Sequence, residues 1–152
     1  MPALTRYPLA AAVRSASVTL LEAYAADESL KLQVYPARPK SLAPPTGFVD
    51  RMTEQIDHTV SIRQRTCRAE VLVLHGLFDS KEAVTQRDAF VDGFMEWCEE
   101  HLDAAGANTT LELVAVEDEP AYVPDWRPAN VTNGPNPTYY ATRITLEGFA
   151  GN

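Results

Sequence analysis

The sequence predicts a single α+β domain over residues 1–152, in which one mixed, largely antiparallel β-sheet is flanked by two helices. Two segments, 8–26 and 80–105, repeat apolar residues with helical spacing, and several others alternate apolar and polar residues as strands do. The segments follow the order helix, strand, strand, long strand, helix, strand, strand, without an internal repeat. At 152 residues, 45% of them hydrophobic, the chain is long enough for one buried core.

The first quarter of the chain predicts a helix, a strand and a loop. Residues 30–35, "LKLQVY", alternate as a half-buried strand does, whereas 36–47 hold four prolines, which suit neither a helix nor a central strand. This proline-rich loop fits either a plain surface connection or an arm that contacts a neighbouring subunit. The helix over 8–26 rests on the spacing of Leu9, Val13, Ala16, Leu20 and Tyr24.

The next segments predict the centre of the sheet. Residues 47–56 fit a strand or a short helix, and the strand is favoured. Residues 59–75 contain no Gly, Pro, Asn or Asp, so one long strand, bulged near Cys67, is favoured over a tight hairpin. Its apolar end, Val71 to Leu74, is expected at the sheet centre. His75-Gly76 is expected to turn out of the strand, with Phe78 packing as a hydrophobic staple before the second helix.

The second helix, over 80–105, is predicted to begin at a cap formed by Asp79 with Glu82 three residues later. A strand over 109–116 follows, and then residues 117–137, which carry five prolines without any period and predict a second proline-rich loop. The last strand spans 138–150. The apolar stripe of the helix consists of Ala83, Phe90, Phe94, Trp97, Cys98 and Leu102.

Charge and composition exclude some classes of function. The net charge of −8 argues against a protein that binds nucleic acid through its phosphates. No apolar run approaches the ~20 residues that span a bilayer, and the amphipathic start predicts synthesis in the cytoplasm, without a signal peptide. Two cysteines, Cys67 and Cys98, do not form a disulfide framework and are expected to be reduced and structural.

The charge is divided unevenly along the chain. Residues 1–68 hold nine Lys and Arg against six Asp and Glu, a net charge of +3; residues 69–152 hold four against fifteen, a net charge of −11. A solvated acidic helix and loop account for this pattern. A subunit with a basic side and an acidic side, suited to packing against copies of itself, also accounts for it.

The stretch "VLVLHG", 71–76, raises a hydrolase hypothesis, because many α/β-hydrolases begin their oxyanion loop with a strand ending in His-Gly. The partners required are missing: there is no G-x-S-x-G, no serine beyond Ser80 and no histidine beyond His101. Cys98 lies in an apolar stripe that disfavours a thiolate. A small hydrolase using His75 is therefore the less favoured hypothesis, and no enzyme is predicted. The three histidines lack metal-ligand spacing, so no metal or cofactor is expected.

A family resemblance covers the chain from about residue 34 to residue 148. The segments "VYPARPKSLAPPTGFVDRMTE", "IRQRTCRAEVLVLHGLFDSKEAVTQRDAFVDGFMEWCEEH" and "YYATRITLEGFAGN" resemble the tail terminator proteins of long-tailed bacteriophages, especially those of actinobacterial phages. The features that carry the resemblance are the proline turn into a "GFVDR" strand, the "IRQRT…EV" strand, the "S-x-E-A…RDAFVD" helix and the "TRITLEG" strand.

The resemblance implies a tail-terminator-like fold and a structural virion protein without catalysis, cofactor or membrane. Such proteins form a hexameric ring on the tail tube, stop its polymerisation and dock to the head. The implied partners are other copies of the chain, the major tail tube protein, the head-tail connector or stopper protein, and double-stranded DNA that passes through the lumen without sequence-specific binding. The alternative is another neck protein, a stopper or an adaptor; stoppers tend to be small β-barrels, so the strong second helix favours the terminator.

The proline-rich loops, 36–47 and 117–137, are the segments expected to form contacts between subunits or rings, since prolines reduce the entropy lost on docking. Aromatic residues are common at the centres of interfaces. In a ring, an acidic lumen would repel DNA phosphates and let DNA slide. The candidate interface residues are Pro44, Pro45, Phe48, Tyr122 and Trp126.

Overall fold

The computed structural model describes residues 8–58, 63–102 and 111–151, which form two helices and one five-stranded sheet. The α+β class predicted from the sequence is confirmed. The elements in chain order are α1 (Leu9–Asp27), β1 (Gln33–Tyr35), β2 (Thr46–His58), β3 (Arg63–Leu77), α2 (Lys81–His101), β4 (Leu111–Tyr122) and β5 (Tyr139–Gly151).

The sheet is mixed, with the strand order β1-β2-β3-β5-β4. Only β1 runs parallel to its neighbour; the other three pairings are antiparallel. Strand β3 therefore lies at the centre, and its residues Val71 to Leu74 are completely or almost completely buried, as their apolar character on both faces predicts.

Both helices pack on the same face of the sheet, which we call the helix face. Tyr24 of α1 joins them: its ring lies 5.4, 5.3 and 5.4 Å from the rings of Phe90, Phe94 and Trp97 in α2. Gly93 makes this approach possible, because a Cβ atom there would lie 2.4 Å from the Tyr24 hydroxyl oxygen. The helix-face core also contains Leu9, Val13, Leu20, Val49, Cys67, Ala69, Val71, Val73, Ile144 and Leu146.

The expectations for the long strand need correction. Within the described residues β3 begins at Arg63, and it continues through His75 and Gly76 to Leu77, so these two residues do not form the turn. Cys67 pairs regularly with Glu54, without a bulge. The register shifts instead at two other places, between residues 49 and 51 of β2 and between residues 74 and 76 of β3. Residues 59–62 lie outside the described part of the chain.

The start of α2 also differs from the prediction. Ser80, not Asp79, is the N-cap residue, and its Oγ accepts a hydrogen bond from the backbone N–H of Ala83. Phe78 is 51% exposed and does not act as a staple. Ser and Asp are both favoured N-cap residues, so the sequence does not distinguish the two adjacent positions. The position at which β3 ends determines which of them caps the helix. Residues 103–105 of the predicted helix lie outside the described ranges.

Two further boundaries are corrected. The strand expected over 30–35 is paired only from Gln33 to Tyr35. At the other edge of the sheet, β4 extends to Tyr122, so residues 117–122 belong to a strand and the second loop begins at residue 123. Pro120 is tolerated because β4 is an edge strand, with one side free of ladder hydrogen bonds.

Candidate functional site

The two proline-rich loops meet on the sheet face opposite the helices. We call residues 36–45 and 123–138 together the double loop. The Asn130 side chain joins its two halves: its Nδ2 donates to the carbonyl oxygen of Leu42 at 2.8 Å, and its Oδ1 accepts from the backbone N–H of Leu42 at 3.1 Å. One amide thus satisfies both backbone groups of a residue 88 positions away.

Further hydrogen bonds fix the double loop. The backbone N–H of Ala129 donates to the carbonyl of Lys40 at 2.7 Å, and the indole N–H of Trp126 donates to the carbonyl of Pro39 at 3.3 Å. Within the second loop, the Asn136 amide donates to the Trp126 carbonyl at 2.9 Å. Prolines have no N–H group to donate, so the donors are side chains and the backbone N–H groups of other residues.

An apolar cluster lies between the double loop and the sheet. Phe48 of β2 is 0% exposed, and the ring of Trp126 meets it edge to face with 5.6 Å between centroids. Such an aromatic pair adds to the burial of apolar area. This loop-face cluster comprises Leu42, Phe48, Leu72, Leu74, Tyr139 and Ala141, with Tyr35, Tyr122 and Trp126 packed against them.

A network of charged side chains, centred on Arg143 of β5, continues the cluster along the same face. Its Nε donates to Glu119 at 2.8 Å, and its Nη1 lies 3.3 Å from Asp50 and 3.6 Å from Glu70. The side chains of Arg143 and Asp50 are 16% and 8% exposed. Burial lowers the pKa of Arg143, but the hydrogen bond and charge of Glu119, with Asp50, outweigh it and raise the pKa above its ordinary value.

The register shift in β2 explains the position of Asp50. Val49 pairs with Val71 and Arg51 pairs with Glu70, so Asp50 is the extra residue of a bulge. Its carboxylate also accepts from Arg38 Nε at 3.1 Å. Asp50 thereby joins the sheet network to the double loop.

Arg38 completes the attachment of the first loop to the second. Its Nη1 and Nη2 contact the two carboxylate oxygens of Asp125 at 2.6 and 3.3 Å, and its guanidinium carbon lies 4.9 Å from the centre of the Trp126 ring. A bidentate ion pair and a cation–π contact both favour one orientation of the guanidinium group. The double loop is therefore held by packing, hydrogen bonds and charge together.

The structure brings together three of the five candidate interface residues, Phe48, Tyr122 and Trp126. Their role within the chain is to hold the double loop on the sheet, and fully buried Phe48 offers no surface to another subunit. Pro45 follows a cis bond from Pro44 and borders a cleft on the helix face instead.

The sequence reasoning missed Arg38, Asp50 and Arg143. A signal existed in the alternation of β5, which places Arg143 on one face with Thr145 and Glu147. Its partners, however, come from β2, β3 and β4, and only the sheet order identifies them.

The charge division along the sequence does not become a simple division between two sides. Arginines of the first half pair with carboxylates of the second: Arg38 with Asp125 between the two loops, at 2.6 Å, and Arg68 with Glu147 on the neighbouring strands β3 and β5, at 2.6 Å. The acidic surface that persists is α2, whose exposed carboxylates are Glu82, Asp88, Asp92, Glu96, Glu99 and Glu100. Within the ranges that the structure describes, Asp88 alone of these forms an ion pair.

His75, the residue of the hydrolase hypothesis, is 6% exposed, with its Nε2 2.8 Å from the hydroxyl of Thr142. Burial, with a smaller effect of the nearby Arg87 charge, lowers the pKa of His75 to about 4, so the ring is neutral at pH 7. Thr142 is itself fully buried and closed to substrate. Both cysteines are free and buried, and burial raises the pKa of the Cys98 thiol to about 12.

In the parts of the chain that the structure describes, no group of three His, Cys, Asp or Glu side chains is placed to hold a metal ion. Neither described helix has the length and hydropathy needed to cross a membrane. Comparison with protein-family models and with curated proteins yields no match to this chain.

Proposed function

We propose that this protein is a tail terminator of a long-tailed bacteriophage, a structural virion protein made in the host cytoplasm. A hexameric ring of it caps the tail tube, stops polymerisation and provides the surface to which the head-tail connector or stopper protein docks. Double-stranded DNA passes through the lumen. The resemblance of residues 34–148 to this family suggests the function, and the α+β fold is compatible with it.

The observation that carries the proposal is the double loop. Its exposed residues include Pro36, Ala129 and Asn133 together with the charged Arg38, Lys40, Asp125 and Arg127, and the hydrogen bonds beneath fix its conformation. A surface that is already ordered loses little entropy on docking. Such a surface suits a stable contact with a neighbouring ring better than it suits the binding of a small substrate.

The opposite face of the sheet differs chemically, since it carries the acidic surface of α2. A closed ring uses head-to-tail interfaces, in which each subunit presents two different surfaces. An acidic helix turned towards the lumen would repel the phosphates of passing DNA. Two dissimilar faces on one subunit therefore support the ring.

Deletion of the gene from the phage tests the proposal. Overlong tails, seen by negative-stain microscopy, are expected. Full heads with separate tails of normal length would contradict the terminator and favour the alternative, a stopper or adaptor of the neck.

Complementation with variants tests the double loop. Ala129→Arg, in the exposed part of the loop, is expected to leave tails unjoined or overlong. Thr19→Arg, on the exposed side of α1, is the matched control and is expected to restore normal particles.

A further inference from the structure

The helix face contains a cleft that lies apart from the contacts of the candidate site, although Pro45 of the double loop borders it. It lies between the end of α1, the segment leading to β1, and the middle of α2, with a volume of about 500 Å³. Val73 and His75 of β3 border it below, and Leu32 and Phe90 border it at the sides. This size and mainly apolar border are typical of sites that bind an apolar group.

The cleft is preformed by the way α1 ends. Ser29 adopts a left-handed backbone conformation (φ 54°), and the backbone N–H of Leu30 donates to the carbonyl of Ala25 at 2.8 Å. This Schellman-type cap turns the chain sharply away from the helix axis. The turn holds Lys31 and Glu28 at the rim of the cleft.

A second feature, which we call the knob, lies at the corner between β3 and α2. Leu77 and Phe78 are each 51% exposed, although they are adjacent and large. The knob has a fixed backbone: the N–H of Phe78 donates to the carbonyl of Thr138, and that of Ser80 to the carbonyl of Leu77, both at 3.0 Å. An ordered and exposed aromatic residue of this kind is a typical interface anchor.

The charges around the two features are complementary. The knob is followed by Asp79 and Lys81, and the rim of the cleft carries Lys31 and Glu28; all four side chains are exposed. In the described part of the chain none of the four forms an ion pair. Asp79 and Lys81 beside the knob are therefore opposite in charge to Lys31 and Glu28 beside the cleft, in that order.

We propose that Phe78 of one copy of this chain inserts into the cleft of the next copy, with Asp79 against Lys31 and Lys81 against Glu28. The cleft borders α2 from Gln86 to Gly93, which places it about 8 to 18 Å along the helix from the start at Lys81. Knob and cleft are therefore separate sites, and their contact is head-to-tail, as ring closure requires. The inference rests on the proposed function, because it names the contact that builds the ring.

Two variants of the full-length protein separate the two sides of the contact. Phe78→Asp removes the knob and leaves the cleft; Ala89→Trp fills the cleft and leaves the knob. Both positions are exposed, so both variants are expected to keep the wild-type circular dichroism spectrum. Sedimentation velocity is expected to show that each weakens self-association about 30-fold, as loss of a central aromatic anchor does. Met95→Asp, at an exposed residue of the same helix outside the cleft, is expected to assemble as wild type.

Mixing the two variants gives the decisive result. Each mixed pair retains one intact knob and one intact cleft, so a heterodimer that grows no further is expected by native mass spectrometry. A wild-type protein that stays monomeric, variants that assemble like wild type, or a mixture without heterodimers would each overturn the docking. Overlong tails in the deletion phage together with any of these results would refute the docking and retain the terminator. Heterodimers together with normal tails in the deletion phage would refute the terminator and retain the docking.

Discussion

Arg143 and Asp50 form an ion pair across the central strand of the sheet. They lie on β5 and β2, which are separated by β3, yet Nη1 and Oδ2 are 3.3 Å apart and both side chains are largely buried. Adjacent strands are about 4.8 Å apart, so two strand spacings separate β5 from β2, and the long Arg143 side chain spans them. The pair couples the middle of the sheet to the double loop through Arg38.

Replacing Arg143 with Met is expected to lower the free energy of unfolding by about 3 kcal/mol, because the buried carboxylate of Asp50 and the partly exposed carboxylate of Glu119 lose their shared cation. Urea denaturation at pH 7 measures the effect. Arg51→Met is the matched control. The Arg51 side chain is 72% exposed and its Nε lies 3.7 Å from Glu70, so a loss of at most about 1 kcal/mol is expected. Similar losses in the two variants would show that burial does not decide the strength of this network.

Trp126 is expected to be the main apolar anchor of the double loop. Trp126→Ala removes the contacts with Phe48 and Arg38 and the hydrogen bond to Pro39, and it should lower the free energy of unfolding by about 3 kcal/mol. Loosening of the double loop should also expose it to trypsin, which cleaves after Lys and Arg. Faster cleavage after Lys40 in the folded protein is the expected observation, because Arg38 and Arg127 each precede a proline, where trypsin does not cleave.

Val123→Ala is the control for this experiment, because Val123 lies in the same loop but is half exposed. A change within about 0.5 kcal/mol and an unchanged cleavage rate are expected. If Trp126→Ala is cleaved no faster than this control, the hydrogen bonds of Asn130 hold the double loop without the indole ring.

His75 is expected to make stability depend on pH. Its pKa is about 4 in the folded protein and ordinarily 6.5, so between these values the unfolded chain binds a proton that the folded chain does not. Its contribution is therefore present above pH 6.5 and is lost as the pH falls towards 4, by about 3 kcal/mol in total. The measurement is urea unfolding of wild type and His75→Gln at several pH values. The difference between the two curves isolates His75, and parallel curves would contradict its burial as a neutral ring.

Both ends of α1 and the start of α2 were predictable to within a residue because their signal is local. The apolar spacing from Leu9 to Tyr24 is a property of consecutive turns, and α1 follows it from Leu9 to Asp27. The same holds for the apolar run at the centre of β3. The features that depend on strand pairing were not predicted. A bulge is defined only against a partner strand, and the arginines that pair with Asp50 come from β5 and from a loop.

In the candidate site, too, the sequence did not identify which residues contact one another. Aromatic residues next to prolines indicated an external interface, but the aromatic residues turned out to face each other. Phe48 and Trp126 are 78 positions apart, and Leu42 and Asn130 are 88 positions apart. No local pattern indicates that the two proline-rich loops cover the same sheet face. The sequence therefore identified the loops as candidate contact segments without showing what their aromatic residues contact.

The contact of Gly93 with Tyr24 gives a last prediction, in which one substitution reverses the effect of another. In the wild-type protein, Gly93→Ala places a Cβ atom 2.4 Å from the Tyr24 hydroxyl, whose ring is fixed between the rings of α2, so a loss of about 2 kcal/mol is expected. In a Tyr24→Phe background the nearest remaining atom is Cζ at 3.6 Å, an ordinary contact. Alanine should then stabilise α2 by up to about 1 kcal/mol through its higher helix propensity. A double-mutant cycle measured by urea unfolding is expected to give a coupling of about 2 to 3 kcal/mol. Equal losses of stability in both backgrounds would contradict this prediction. They would show that the cost of the alanine does not arise from its contact with the Tyr24 hydroxyl, and that the packing of α1 against α2 does not depend on a glycine at this contact.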